Sequence, residues 1–145
     1  MSEGKVVAEQ QGHLGRVIFD NQTRHNAVSQ SMWDALAETM HRFDADDCVR
    51  VIVLEGAGKK AFVSGADISK FENERANAAL IKEYGVSVNR AYASVQHALK
   101  PTIAKIGGYC YGGGMGIAVC CDLRICSDDS SFCIPAAKLG VGYGH

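Results

Sequence analysis

The stretch "YGGGMGIAVCCD" at residues 111–122 sets Gly112, Gly113 and Gly114 in a row and adds a fourth glycine at Gly116. Glycine packs no side chain and loses the most backbone freedom on folding, so such a cluster calls for something that must approach the main chain closely. A strand running into glycines at a helix start exposes several N–H groups with no partner inside the helix. The helix dipole adds partial positive charge at the same end. Such a place suits a bound anion, or an oxygen that gains negative charge in a transition state. Tight packing of helix against sheet is the other use these glycines could have.

Three other glycine-loop chemistries fail on spacing. A Walker A loop ending at Gly58 needs glycine at position 53 and Ser or Thr at 60, where Val53 and Lys60 stand. A nucleophile elbow around "FVSGAD" needs glycine where Phe62 stands. A dinucleotide fingerprint starting at Gly112 and Gly114 needs glycine at 117, which is Ile117.

The elements that must position the glycine loop can be traced along the chain. "KVVAEQ" (5–10) and "HLGRVIFD" (13–20) predict two strands turning at Gln11 and Gly12. Ser29 is placed to cap a helix carrying Met32, Leu36, Met40 and Phe43 on one stripe. "CVRVIVLEG" (48–56) is an apolar, β-branched run expected to be a strand covered on both faces. "KKAFVSGADISKF" predicts a short strand entering a small-residue loop. A longer helix is expected from about Arg75 to Leu99, with Leu80, Tyr84, Val88 and Tyr92 four apart, ended by Lys100 and Pro101. "PTIAKIGGYC" (101–110) reads as one further buried strand, followed by the glycine-led helix through Cys120 and two short strands in "DLRICS" and "SFCIP". Strands interleaved with helices give an α/β class. No internal repeat is visible in the residue identities.

Composition narrows the function classes. The 145 residues suit one domain, 1–145, with 47% hydrophobic and 21% charged residues, an ordinary globular balance. Fifteen basic and sixteen acidic residues give a net charge of −1, with no basic run beyond Lys59 and Lys60, so neither nucleic acid nor an anionic membrane surface is expected as a partner. Nothing approaches the ~18 apolar residues of a membrane span, and "MSEGKVVAEQ" lacks the apolar middle of a secretory signal. Six cysteines form no CxxC pair and five histidines are scattered, so no metal site is expected; reduced, mostly buried thiols and a cytoplasmic or matrix-like setting fit better.

"AFVSGADIS" (61–69) together with "IGGYCYGGGMGIAVCCDLRI" (106–125) resembles the crotonase superfamily, the enoyl-CoA hydratase/isomerase family. "RHNAVS" (24–29) is similar to the family's first CoA-binding segment and "FCIPAAKLGVGYG" (132–144) to its later active-site segment. The resemblance implies a repeated β-β-α spiral, usually a homotrimer or a dimer of trimers. It implies an acyl-CoA substrate, with no cofactor beyond the coenzyme A carried by that substrate. The N–H groups of Ala66 and Gly113 would form an oxyanion hole for the thioester carbonyl. Arg24, Asn26 and Ala27, with Ala66, Asp67 and Ile68, would line the CoA site. Gly112, Gly116, Pro135 and Ala136 would complete the substrate-binding set.

The same resemblance exposes a departure. The family's hydratases carry one glutamate two residues after the glycine triplet and a second twenty residues later, following a proline. Gly116 and Ala136 occupy those places here, the latter after Pro135. Water addition needs one group to deprotonate water and another to protonate the α-carbon, and neither residue can do so. Glu83, Tyr84, Tyr111, Tyr143 and His145 are the candidate substitutes; the resemblance gives Asp67 a structural or CoA-side role, and Asp122 is expected to stabilise a strand end. An acyl-CoA enzyme working through a thioester enolate is the main expectation, and a catalytically inactive acyl-CoA-binding or partner-binding homologue the alternative. The abrupt end at "AAKLGVGYGH" suggests a core incomplete at its C-terminus, lacking the family's closing helices.

Overall fold

The computed structural model describes residues 3–70, 76–140 and 142. Strands β1 (Lys5–Gln11) and β2 (Leu14–Asp20) pair antiparallel, turning at Gly12, whose φ of +59° an L side chain would resist. Helix α1 (Gln30–Ala45) buries Met32, Trp33, Leu36, Met40 and Phe43, the stripe that helical spacing predicts, with Trp33 added. Ser29 holds the N-cap position, but its hydroxyl makes no bond to a helix N–H; it lies 3.0 Å from the Ser31 hydroxyl instead.

Strands β3 (Val51–Gly56) and β4 (Ala61–Val63) follow, then helix α2 (Ala78–Gln96). The start of α2 is fixed by Asn77, whose Oδ1 accepts the Leu80 N–H at 3.0 Å; the expected start near Arg75 lies outside the described residues. The helix stops at Gln96 rather than Leu99. Beyond it the chain is drawn onto α1: the Leu99 N–H donates to both Asp44 carboxylate oxygens at 3.1 Å, and Lys100 Nζ donates to the Phe43 carbonyl at 2.7 Å and to that of Asp46.

The run read as a single strand over 101–110 is two, β5 (Thr102–Ile106) and β6 (Tyr109–Tyr111), in different sheets. Gly108 makes the corner. Its φ is +66°, and a Cβ there would lie 2.0 Å from the Lys60 carbonyl oxygen. Helix α3 (Gly113–Cys120) and strands β7 (Leu123–Cys126) and β8 (Ser131–Cys133) complete the elements. Asp122 ties the starts of β5 and β7 together, its Oδ2 accepting the Thr102 N–H at 2.8 Å and the Thr102 hydroxyl at 3.0 Å.

A five-stranded sheet runs β1-β2-β3-β5-β7 and a three-stranded sheet β4-β6-β8. Beyond the opening hairpin every pairing is parallel. In each successive pair the first strand joins the larger sheet and the second the smaller, so a β-β-helix unit recurs along a spiral. This is the repeat the residue identities do not display. No helix of the described residues is long and apolar enough to cross a membrane.

Ile52 and Leu54 of β3 join the core with Leu36 and Met40, while Val51 and Val53 on the opposite face are only half-buried, so β3 is fully covered on one face rather than two. That outer face carries charge instead. Glu55 is 6% exposed and accepts from Arg16 Nε at 2.8 Å and Lys105 Nζ at 2.7 Å, bridging β2, β3 and β5. Burial pushes its carboxyl up, but the hydrogen bonds and charges of Lys105 and Arg16 outweigh it and hold the group below the usual glutamate range.

Two stability predictions follow from these contacts. A group whose pKa is depressed by folding stabilises the fold above its unfolded value of about 4.3 and loses that contribution as pH falls through the folded value. Glu55→Gln should therefore cost about 1–2 kcal/mol at neutral pH, and urea titrations should show the gap from the parent closing in acid; a gap independent of pH would contradict the assignment. At α3, a Cβ on Gly114 would lie 2.2 Å from the Val63 carbonyl oxygen, a backbone atom that cannot swing away. Gly114→Ala should cost about 3 kcal/mol or more in the same titration, and a loss under 1 kcal/mol would mean that helix and strand separate easily.

Candidate active site

The glycine loop packs directly against a second loop, backbone to backbone. A Cβ on Gly112 would sit 3.7 Å from Gly65 Cα, and one on Gly65 would sit 4.0 Å from Gly113 N. The backbone of "SGAD" therefore faces the start of α3 directly. Gly113 is the first residue of that helix, so its N–H has no partner inside the helix. Gly112 supplies the sharp entry, with φ +50° and ψ −113°, and its N–H donates to the Cys133 carbonyl at 2.8 Å. That bond joins the glycine loop to the segment leading into Pro135 and Ala136, both half-buried at the start of a short 3-10 turn (Ala136–Leu139).

"SGAD" is held in place by the segment at 24–29. Val28 forms a parallel bridge with Ala66: the Val28 N–H donates to the Gly65 carbonyl and the Asp67 N–H to the Val28 carbonyl, each at 2.9 Å. The Ala66 N–H takes no part in that ladder. Ser64 adds two bonds, its N–H to the His25 carbonyl and its hydroxyl to the Arg24 carbonyl, both at 3.1 Å. Asn26 is 1% exposed and fully engaged. Its Nδ2 donates to the carbonyls of Ala57 at 3.0 Å and Ala61 at 2.8 Å, and its Oδ1 accepts the Asn21 N–H. Asn26 is thus a staple of the loop, and any ligand contact at 24–27 falls to the main chain and the exposed side chains of Arg24 and His25. Asp67 is likewise turned inward at 5% exposure, its Oδ1 accepting from the Ser69 N–H and hydroxyl, while Ile68 is 71% exposed beside it.

The structure therefore brings Arg24, Asn26, Ala27, Ala66, Asp67, Gly112 and Gly113 together in three adjoining segments, 24–27, 66–67 and 112–113. It sorts the candidate proton-transfer residues as sharply. Glu83 lies on the exposed side of α2. Tyr84 is buried and its hydroxyl receives the Trp33 indole N–H at 3.2 Å. Tyr111 turns to β8, its hydroxyl 2.9 Å from that of Ser131. Tyr143 and His145 lie outside the described residues. The thiols are divided: Cys110 and Cys121 are buried, whereas Cys48 and Cys126 are exposed, against the expectation of mostly buried cysteines. Burial pushes the Cys110 thiol up to about 11 and that of Cys121 to about 12, so neither serves as a thiolate nucleophile near neutrality.

Sequence reasoning missed two aromatic residues. Trp33 stands against the glycine loop, so that a Cβ on Gly113 would lie 3.1 Å from its ring. Tyr92 packs edge-on to Trp33, with ring centroids 5.4 Å apart, and its hydroxyl would lie 2.4 Å from a Cβ on Gly116. Four-residue spacing placed Tyr92 on the buried side of its helix; only the packing of α2 on α3 reveals what that side touches.

Comparison with known proteins places this architecture. The chain is 32% identical over 146 residues to a short-chain-enoyl-CoA hydratase of Clostridium acetobutylicum, covering 99% of this chain and 55% of that protein. Its fold superposes on an enoyl-CoA hydratase/carnithine racemase from Magnetospirillum magneticum with a TM-score of 0.92 at 36% identity, covering 99% of this chain and 54% of that one. An enoyl-CoA hydratase/isomerase family protein from Hyphomonas neptunium gives 0.91 at 32% identity, with 96% and 53% covered. The chain thus spans about half the length of the proteins it matches. The family profile described as enoyl-CoA hydratase/isomerase matches residues 9–144. With fold and sequence in agreement over nearly its whole length, the chain belongs to the enoyl-CoA hydratase/isomerase family.

Proposed function

We propose that this protein binds an acyl-CoA thioester with its carbonyl oxygen between the N–H groups of Ala66 and Gly113, and stabilises the enolate formed when charge moves onto that oxygen. The observation that carries the reading is the approach of Gly65 to Gly112 and Gly113, with no side chain between the loops. Loops in such direct contact can bring one N–H from each to a single carbonyl oxygen at their shared edge, and donors held by the main chain need no reorganisation as charge develops. Each donor of this kind is worth roughly 3–4 kcal/mol in the transition state. The CoA moiety would follow the main chain at 24–27 and 66–68. The reading needs no cofactor beyond the substrate's own coenzyme A. A homotrimer or homohexamer and a cytoplasmic setting belong to the same proposal.

Gly116 and Ala136 favour a restricted chemistry. With neither glutamate present, hydration of crotonyl-CoA should run about 10²–10⁴-fold or more below a glutamate-bearing relative, the loss expected when positioned proton-transfer groups are removed. The same two residues support the second reading, a homologue that binds acyl-CoA or a partner without turnover.

Vibrational spectroscopy of a bound thioester provides the test. The carbonyl stretch of bound butyryl-CoA should move to lower frequency than in water, because two donors polarise the bond. A bound thioester with an unshifted carbonyl would refute the oxyanion role, and hydration of crotonyl-CoA at a full enzymatic rate would refute the restriction.

A further inference from the structure

Gly116 is bare because a phenol occupies its side-chain space. Of the atoms a Cβ there would meet, the nearest is the Tyr92 hydroxyl oxygen at 2.4 Å, followed by ring carbons at 2.6 and 2.8 Å. It is therefore the hydroxyl, more than the ring, that the glycine accommodates. The same hydroxyl donates a long hydrogen bond of 3.4 Å to the Gly113 carbonyl. By bond lengths alone this puts it within about 7 Å of the Gly113 N–H. The ring is fixed by its edge-on contact with Trp33, which itself walls the glycine loop. Tyr92 as a whole is half-buried, with its hydroxyl lying along the first turn of α3 between Gly113 and Gly116. Among the neighbouring candidates, the Tyr84 hydroxyl lies at Trp33, that of Tyr111 at Ser131, and Glu83 on the exposed side of α2, whereas the Tyr92 hydroxyl lies against the glycine-led helix itself.

We propose that the Tyr92 hydroxyl is the proton-transfer group of this site, acting on the α-carbon of the bound thioester in place of a carboxylate at position 116. The inference rests on the thioester-binding reading above and adds the missing acid. As the enolate collapses, its electron pair forms the α-carbon–hydrogen bond, the Tyr92 O–H bond breaks, and the resulting phenolate recovers a proton from water. Run in reverse, the phenolate removes an α-proton and the electron pair passes into the thioester to regenerate the enolate. Both directions together exchange the α-hydrogens of a saturated acyl-CoA with solvent. A phenol also differs from a carboxylate in that it brings no negative charge beside the enolate.

The test is deuterium incorporation into butyryl-CoA in heavy water, read by mass spectrometry, with binding measured calorimetrically on the same preparations. The parent protein should exchange. Tyr92→Phe keeps the ring and its packing, so butyryl-CoA should bind within about threefold of the parent while exchange falls about 100-fold or more. Gly116→Ala leaves the phenol in the chain but displaces its hydroxyl, and should lower exchange to a similar extent. Exchange by Tyr92→Phe at the parent rate would overturn the proposal. So would a parent protein that binds butyryl-CoA without exchanging it, although thioester binding would then stand. Should Tyr92→Phe lose binding through misfolding, parent-like exchange by Gly116→Ala would overturn the proposal instead. Absence of butyryl-CoA binding by the parent would overturn the thioester reading and this one with it.

Discussion

Backbone lying against backbone, with no side chain between, is the constraint from which the rest of this structure follows. Gly65 can face Gly112 and Gly113 only if the strands leading to them are held at a fixed spacing. That spacing comes from parallel pairing of β4 with β6 and from the seating of Gly114 on the Val63 carbonyl. The bridge between Val28 and Ala66 locks the first loop from its other side. Each of these contacts is made by main-chain atoms, which lack the rotameric freedom of side chains. A contact built this way keeps its dimensions whatever side chains surround it.

The aromatic cluster brings side chains up to this main-chain frame. Trp33 reaches across from α1 to the glycine loop, and Tyr84 and Tyr92 come from α2, two turns apart. Position 116 and position 92 are a complementary pair in volume: the space left by the first is used by the second. A carboxylate introduced at 116 would have to expel the phenol before it could serve. Gly116 is therefore coupled to a residue 24 positions earlier in the chain, and a substitution there is not an isolated change.

Much of the architecture was legible in the sequence because it rests on local pattern. The helical stripe of Met32, Leu36, Met40 and Phe43, the hairpin at Gly12 and the strand at Val51–Gly56 are all set by spacing and breakers. The single strand expected over 101–110 was misread because Gly107 and Gly108 look like an interruption within a strand. They are in fact where the chain leaves one sheet for the other, a decision taken by the Lys60 carbonyl far away in sequence. The glycine loops advertised a close approach, but which residue approaches each glycine is a matter of tertiary packing. Asn26 illustrates the same limit from the other side: as a residue type it suggests a ligand contact, and the fold spends its entire amide on three backbone groups.

The alternation of strands between two sheets also bears on how the molecule is made. Apart from the opening hairpin, no strand finds its partner beside it in the chain, since each parallel neighbour lies beyond an intervening segment and most lie beyond a helix. Loop closure over such lengths must precede the contacts that repay it, which slows folding. The hairpin and α1 can organise early, whereas the meeting of Gly65 with Gly113 requires β4 and β6 to be paired across the whole of α2. The contact between these two loops is therefore among the last features to assemble, and a chain arrested before that step would retain helices and a partial sheet with the loops still apart.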